Sequence, residues 1–434
     1  MSDIQLDQLT GSMHSEDPNP RKYAPGARLV ERQRFELDLE KSIRPDNVEA
    51  WLLGAASKTQ SAHALVAEFA GQLAQSDFGV ERVTVIVGTL HPQVRRYAWI
   101  WNVEDGICDE IQIGEETLSS SEYRNNPIFK VVEYGETVRV PLSGEADETL
   151  SPLMNELAAA GFSEYVALPL SARGEKYNAV TFSTRKHGGF SQEQWGTLMR
   201  LFKIFGLHVE RHIANRIAEN ISLTYLGREA GQRVVNGTIN RGSGLPIKAI
   251  VWSSDLRDFS SISESSDNEA VADVLNYYFS VLAEAVIKNG GDVLKFIGDG
   301  MLAIFPLSDY RTPNQAAQAA ALAAIEAVRQ LATLNQRMAE NDNWKVLRTG
   351  IGLHSGEVFF GNIGSARRLD FTVIGEAVNI ASRVEGLCKS LKQEVLMSES
   401  VAQLLDYDAV SLGSYALKGM QKPEHIYGLS FQSG

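Results

Sequence analysis

The chain has 434 residues, enough for two large domains or about three of average size. Hydrophobic residues make up 44% of it and charged residues 22%, which is typical of folded globular proteins and excludes a disordered or fibrous composition. The 54 acidic and 41 basic residues give a formal net charge of -13, which argues against nucleic acid as a partner. A small phosphorylated ligand is compatible with this charge, because local amides, a few cations and a divalent metal can outweigh it.

The cysteine content and the N-terminal segment indicate the cellular compartment. Cys108 and Cys388 are the only two cysteines, so we expect neither a disulfide framework nor a zinc cluster. The N-terminal segment lacks the basic start and apolar run of a signal peptide, and no stretch approaches 18 consecutive apolar residues. We therefore expect a cytoplasmic protein without a membrane span.

The first part of the chain passes from a polar arm into regular structure. Residues 1–45 contain four prolines and show no sustained hydrophobic periodicity, so we expect an N-terminal arm there. Apolar residues then recur at helical spacing over 50–73. The segments 80–88 and 95–103 are rich in β-branched and aromatic residues, which predicts two strands after the helix.

A later pair of segments predicts a hairpin. Residues 164–172 and 177–185 have the composition of strands and are separated by the short turn RGEK. Together with the preceding elements they predict a mixed α+β domain over residues 46–190. The order of helix, strands, hairpin and long exit helix resembles a GAF sensory domain. That resemblance implies a regulatory role for this domain, with a small molecule or a partner protein as its regulator.

A long helix is predicted to leave this domain. An apolar stripe follows the cap sequence Gly189-Phe190-Ser191 with residues three or four apart, namely Trp195, Leu198, Phe202, Phe205, Val209, Ile213 and Ile217. The length of the stripe favours a parallel helix pair that joins two copies of the chain. The alternative is a helix packed onto its own domain. On the first interpretation, residues 191–246 form a helical dimerisation linker.

A second domain is predicted for residues 247–434, after a junction rich in glycine and polar residues at 227–244. Its segments predict a strand, helices, a hairpin over 293–305, a helix over about 313–340 and a hairpin over 348–362. A strand and helix follow at 371–388. This alternation predicts an α+β sandwich.

Two carboxylates stand where strands are predicted to end. Asp255 follows the apolar strand AIVWSS, and Asp299 lies in the tight turn of the apolar hairpin VLKFIGDGMLAIF. Taken alone, Asp299 is compatible with a purely structural role in the turn. As a pair, the two aspartates could share hard divalent cations, which prefer oxygen ligands.

Three polar residues complete the set. Lys295 is the only charged residue in the strand VLKFI, and Asn379 and Arg383 lie four residues apart on a predicted helix, where they share one face. An amide and a cation on one face could orient a hydroxyl and offset phosphate charge. Each of the three, taken alone, is equally compatible with an ordinary surface position.

The motifs SDLRDFS, KFIGDG and FTVIGEAVNIASR, in this order, resemble the catalytic domain of class III nucleotidyl cyclases, and the resemblance extends over about residues 247–430. It implies a ferredoxin-like α+β sandwich. It further implies that Asp255 and Asp299 bind two Mg²⁺ or Mn²⁺ ions, assisted by the backbone carbonyl of Leu256. Lys295 and Thr372 would recognise adenine, since a lysine donor suits adenine N1, whereas guanine presents an N1-H that needs an acceptor.

The same resemblance implies roles for the remaining motif residues. Asn379 would orient the ribose, Arg383 would stabilise the transferring phosphoryl group, Lys418 would meet the terminal phosphates and the loop at Phe259 would donate backbone amides to phosphate. The implied reaction is attack of the ribose 3′-oxygen of ATP on the α-phosphorus, with release of pyrophosphate. In the family the metal aspartates and the Asn-Arg pair come from different protomers, so a homodimer with two shared sites is implied.

Two alternatives to an adenylate cyclase stay open on the sequence. The first is a catalytically silent cyclase-like regulatory module, although such a module has no need to retain Asp255, Asp299, Lys295, Asn379 and Arg383 together. The second is a guanylate cyclase. One further departure concerns Asp258, which stands where many relatives carry glycine and could either repel the nucleotide or point to solvent. We expect it to point to solvent.

Overall fold

The polypeptide forms two units, residues 1–217 and 218–434, each built around its own β-sheet. The structure is a computed structural model. It describes residues 21–429 apart from 22, 37, 39–41, 91–93, 144–149, 174–175, 341–343 and 407–408. Much of the arm expected at 1–45 therefore lies outside the described residues.

The first unit is a seven-stranded antiparallel sheet with helices on both faces. In chain order its strands are β1 (Ala27–Arg34), β2 (Arg82–Gly88), β3 (Arg96–Asn102), β4 (Ile107–Ile113), β5 (Val138–Pro141), β6 (Glu164–Arg173) and β7 (Lys176–Thr184). They pair in the order β1-β4-β3-β2-β7-β6-β5. Its helices are α1 (Pro45–Leu53), α2 (Ala62–Ala74), α3 (Glu115–Ser119), α4 (Ser121–Asn125), α5 (Ile128–Tyr134), α6 (Pro152–Ala159) and α7 (Gln192–Leu226), with a 3-10 turn at Ala55–Lys58.

The two faces of this sheet follow from the alternation of side chains along β2. Val83, Val85 and Val87 lie in the core formed with α1, α2 and α7. Ile86 points to the opposite face, where α5 and α6 pack. The mixed α+β composition and the hairpin of β6 and β7 predicted from the sequence are confirmed.

Strand β1 lies within the segment that the sequence assigned to the N-terminal arm, so that assignment was wrong for Ala27–Arg34. The strand pairs antiparallel with β4 at the edge of the sheet and is mostly exposed. Because few of its side chains enter the core, it lacks the alternating pattern by which a strand is recognised in sequence.

The apolar stripe of α7 packs onto its own domain, so the interpretation of this stripe as a seam between two copies was wrong. Phe202 and Phe205 are buried and stack on Phe182 and Phe69, with ring centroids 4.4 and 4.2 Å apart. The exposed side of α7 carries a different set, Leu207, Ile221 and Tyr225. Periodicity located the apolar face correctly but could not say what covers it.

The second unit is an eight-stranded sheet between two helical layers. Its strands are β8 (Gly244–Leu256), β9 (Asp292–Ile297), β10 (Gly300–Pro306), β11 (Thr349–Gly364), β12 (Leu369–Ile374), β13 (Val395–Ser398), β14 (Val410–Tyr415) and β15 (Glu424–Gly428). They run in the order β14-β15-β13-β11-β8-β10-β9, with β12 paired to β11. Its helices are α8 (Arg228–Val235), α9 (Phe259–Ser265), α10 (Asn268–Lys288), α11 (Pro313–Arg337), α12 (Glu376–Leu391) and α13 (Glu399–Ala402), with a 3-10 turn at Leu307–Asp309.

Strand β8 is the centre of this layered arrangement. Ile250 and Trp252 face the core with α10 and α11, whereas Ala249 and Val251 face α8 and α12. The α+β sandwich and the hairpin of β9 and β10 expected from the sequence are therefore confirmed.

Residues 348–362 do not form the predicted hairpin. Residues 349–362 belong to the single long strand β11, which pairs with β8 without interruption from Thr349 to Gly361. Gly356 lies inside this strand, where a Cβ would come 2.7 Å from the Cβ of Ala377 on α12. The glycine permits close packing of a helix rather than a turn.

Helix α10 is the one helix of the described chain that is long and apolar enough to cross a membrane by length and composition. It contributes Tyr278, Leu282, Ala285 and Val286 to the core beneath β8. The core helix of a folded domain meets the same criterion, so the expectation that no segment spans a membrane stays a prediction.

The packing of α7 predicts a large effect of Phe202→Ala. Loss of this buried ring should destabilise the first unit by about 3–5 kcal/mol, whereas Leu207→Ala on the exposed side of the same helix should have little effect. Denaturant unfolding of the full chain measures both. Because the contact is intramolecular, the loss should not depend on protein concentration. A loss that shrinks as the protein is concentrated would instead place Phe202 between two copies.

Candidate active site

The two aspartates lie at neighbouring strand ends in the second unit. Asp255 is paired in register with Gly300 of β10, and the backbone N-H of Leu256 donates to the carbonyl oxygen of Asp299 at 3.2 Å. Gly298 allows the two-residue turn that it forms with Asp299, since its φ of +62° is one that other residues adopt rarely. The structure thus brings together the three predicted metal ligands, Asp255, Leu256 and Asp299.

The electrostatics of this pair fit a divalent cation. Burial raises the pKa of the Asp255 carboxyl, and the charge and hydrogen bonding of Asp299 raise it further. Two carboxyl groups in contact repel each other when both are ionised, and a cation bound between them removes that repulsion. Carboxylate and carbonyl oxygens are the ligands that Mg²⁺ and Mn²⁺ prefer. The donor set therefore fits the proposed ions.

The backbone at Asp255 is anchored from behind. The hydroxyl groups of Tyr278 on α10 and Thr349 on β11 lie 2.8 Å apart, and that of Thr349 donates to the carbonyl oxygen of Asp255 at 3.3 Å. This chain ties the end of β8 to the core helix α10. Neither residue could be identified from the sequence, because Asp255, which Thr349 contacts, lies 94 residues away along the chain.

A largely buried ion pair lies beside the aspartates. Arg257 Nη2 is 3.4 Å from Glu385 Oε1, and both side chains are largely buried. Burial, together with the charges of Asp255 and Asp299, raises the pKa of the Glu385 carboxyl to about 7 although Arg257 opposes the shift. Glu385 is two residues beyond Arg383 on α12 and was not predicted. The only indication of Glu385 in the sequence is that an acidic residue stands on the buried face of α12.

The loop after the metal ligands has an unusual backbone conformation at Asp258. Its φ of +60° lies in the left-handed region, which favours glycine and which aspartate tolerates better than most residues. Its half-exposed carboxylate pairs with Arg348 at 2.9 Å and Lys389 at 3.7 Å. The side chain thus lies at the surface as expected, with its charge offset. The amides of Phe259 and Ser260 make no hydrogen bond to the described residues.

The two predicted base-recognising residues lie near each other. Lys295 Nζ on β9 is 3.5 Å from Asp370 Oδ2, and Asp370 shares a face of β12 with Thr372. Thr372 is 6% exposed, and its hydroxyl group has no hydrogen-bond partner among the described residues. A buried, unpaired hydroxyl is costly unless a ligand satisfies it. Asp370 is the neighbour of Lys295 that sequence reasoning missed.

The remaining predicted residues lie on and beside α12. This helix lies so close to the sheet that a Cβ at Gly352 of β11 would come 2.3 Å from the carbonyl oxygen of Ala381. Asn379 is exposed, and Arg383 is half-buried with its guanidinium beside Gly419, next to the exposed Lys418. Neither Asn379 nor Arg383 has a hydrogen bond or ion pair to Asp255 or Asp299 within this chain.

The family match concerns this second unit. Residues 248–430 match the family described as "Adenylate and Guanylate cyclase catalytic domain". The chain is 33% identical to adenylate cyclase 1 of Rhizobium meliloti over 40% of this chain and 26% of that protein. It is 28% identical to an adenylate cyclase of Anabaena cylindrica over 60% of this chain and 47% of that protein.

A solved structure is similar over the same region. The adenylyl cyclase CyaB from P. aeruginosa is 30% identical, with 44% of this chain and 96% of that chain covered and a TM-score of 0.41. The present chain spans less than half the length of the two curated relatives above. The family match and the retained motifs nevertheless agree in extent and order. Residues 248–430 of this chain form a catalytic domain of the class III adenylate and guanylate cyclase family.

Proposed function

We propose that this chain is an adenylate cyclase that converts ATP to 3′,5′-cyclic AMP and pyrophosphate. The observation that carries the proposal is the position of Asp255 and Asp299, both half-buried, at adjoining strand ends that are joined by the backbone hydrogen bond from Leu256 to Asp299. A purely structural turn residue has no reason to lie beside a second half-buried acid. The names of the relatives, which are adenylate cyclases, support the same activity.

The chemistry is assigned to the residues as follows. Two Mg²⁺ or Mn²⁺ ions would be held by Asp255, Asp299 and the carbonyl of Leu256. These ions would lower the pKa of the ribose 3′-hydroxyl and neutralise negative charge on the triphosphate. Positioning then falls to the protein, as in other phosphoryl transfers. Asn379 orients the ribose, and Arg383 stabilises charge on the α-phosphoryl group as the 3′-oxygen attacks in line and pyrophosphate leaves.

The triphosphate is bound by backbone and side-chain groups that have no hydrogen-bond partner among the described residues. The unpaired amides of Phe259 and Ser260 donate hydrogen bonds to phosphate, and the exposed ammonium of Lys418 meets the terminal phosphates. The pairing of Asp258 with Arg348 and Lys389 reduces its repulsion of the nucleotide. A catalytically silent module would not need these groups to stay available.

The site is shared between two copies of the chain. Asn379 and Arg383 form no hydrogen bond or ion pair with any described residue, Asp255 and Asp299 included, which is consistent with a second copy that completes the site. A homodimer thus has two equivalent sites, each with aspartates from one protomer and the Asn-Arg pair from the other. The N-terminal unit, which we assign to the GAF type, regulates this activity in the cytoplasm through a small-molecule or protein regulator.

The first prediction tests the metal ligands. Asp255→Ala or Asp299→Ala should abolish turnover of ATP with either Mg²⁺ or Mn²⁺, because the cation site loses half of its carboxylates. Asp309→Ala, which removes an exposed acid of the same unit, should retain activity. The measurement is cyclic AMP formation, with circular dichroism as the control for folding. Near-normal activity of either site variant with Mn²⁺ would contradict the assignment.

The second prediction tests the shared site. Inactive Asp255→Ala and inactive Arg383→Ala chains should regain activity when mixed, because the heterodimer contains one intact site. Its activity should approach half that of the unmodified dimer. Heterodimer formation is verified with two affinity tags. If tagged heterodimers form and no activity returns, all site residues belong to one chain.

The third prediction concerns the base. ATP should be preferred to GTP, because a lysine donor that faces guanine N1-H leaves groups unpaired at a cost of about 1–3 kcal/mol each. Lys295→Glu combined with Thr372→Cys should weaken or reverse the preference, while the total rate falls. The ratio of kcat/KM for the two nucleotides measures it. Equal use of GTP by the unmodified protein would refute both assignments and favour a nucleotide cyclase of mixed specificity.

A further inference from the structure

Two glutamates of the first unit lie directly opposite each other on adjacent strands. Glu31 of β1 and Glu110 of β4 are partners in the antiparallel register, and a register shift occurs between Leu29 and Glu31. Like charges in directly opposed positions destabilise a sheet. Glu110 is 2% exposed, so water screens its charge poorly, whereas Glu31 is half-exposed. Arg216, which lies 2.6 Å from Glu110 Oε1, offsets part of this charge.

A buried histidine points at this pair. His63 of α2 is 2% exposed, and its Nδ1 lies 3.7 Å from Glu31 Oε2 and 3.6 Å from Glu110 Oε2. Both distances exceed that of a hydrogen bond. Its Nε2 is also buried without a partner among the described residues. An imidazole this deeply buried, with no hydrogen bond to the described residues, is costly and suggests that a bound group completes its environment.

We propose that Glu31, His63 and Glu110 form a binding site for a divalent transition-metal ion, with Zn²⁺ as the chemical match. One ligand atom from each residue lies within 4.8 Å of the other two. An ion between them would reach zinc-ligand distances of about 2.0–2.2 Å after small side-chain movements. The imidazole distinguishes this donor set from the all-oxygen set at Asp255 and Asp299 and favours Zn²⁺ over Mg²⁺.

The surroundings hold one ligand in place and leave access on another side. Glu110 accepts hydrogen bonds from Trp99 Nε1 at 2.9 Å and from Arg216 Nη2 at 2.6 Å, which orient its carboxylate. The half-exposed Glu31 leaves a path to solvent and a position for a bound water. Arg216 lies on α7, so the carboxylate of Glu110 would contact both the proposed ion and this helix.

Cobalt binding tests the site, because Co²⁺ in a four-coordinate nitrogen and oxygen site has a visible absorption that octahedral Co²⁺ largely lacks. The protein is the full chain with Asp255→Asn and Asp299→Asn, so that the proposed catalytic metal site does not contribute. At pH 7.5 we expect one equivalent of Co²⁺ to give this band and Zn²⁺ to displace it. Glu31→Gln should weaken binding at least tenfold, and His63→Gln should remove the band.

The control is Glu36→Gln, which removes an exposed carboxylate of the same unit and should bind Co²⁺ unchanged. Thermal unfolding confirms that each variant is folded. Absence of the band in the parent chain, or equal binding by the folded Glu31→Gln and His63→Gln variants, would overturn the proposal.

Discussion

The contact between Asp255 and Asp299 is the constraint around which the second unit is arranged. Two carboxyl groups are held together only because the backbone leaves them no alternative: β8 is paired on both sides, by β10 and β11. The hydroxyl chain from Tyr278 through Thr349 fixes the same strand end. The fold thus supplies the free energy that opposes the repulsion, and the proposed cation would relieve it.

Close packing of α12 against the sheet determines where Asn379 and Arg383 lie. Glycines 352 and 356 of β11 let the helix backbone approach the sheet, and the buried face of the helix carries Glu385 toward Arg257. The opposite face is left with Asn379 exposed and with Arg383 beside the loop of Lys418. One helix therefore supports the loop after Asp255 through Glu385, while its outward residues Asn379 and Arg383 stay accessible for the proposed second protomer.

The first unit contains a related electrostatic arrangement with different donors. Glu31 and Glu110 are opposed by strand register, as Asp255 and Asp299 are by adjoining strand ends. The added imidazole of His63 changes the ion that such a site prefers. Arg216 already pairs with Glu110, which shows that the buried acid needs a cation even before any ion binds.

The sequence by itself determined the local structure and the catalytic motifs. The β9-β10 turn with Asp299, the helix that places Asn379 four residues before Arg383 and the apolar face of α7 all follow from turn chemistry and periodicity over a few residues. Tertiary structure decided what those faces meet. It covered the stripe of α7 with Phe69 and Phe182, kept Gly356 inside a strand under α12, and brought Glu31, His63 and Glu110 together from three separate segments. Periodicity records which side of an element is apolar, but the partner of that side depends on long-range register and packing, which no local pattern encodes.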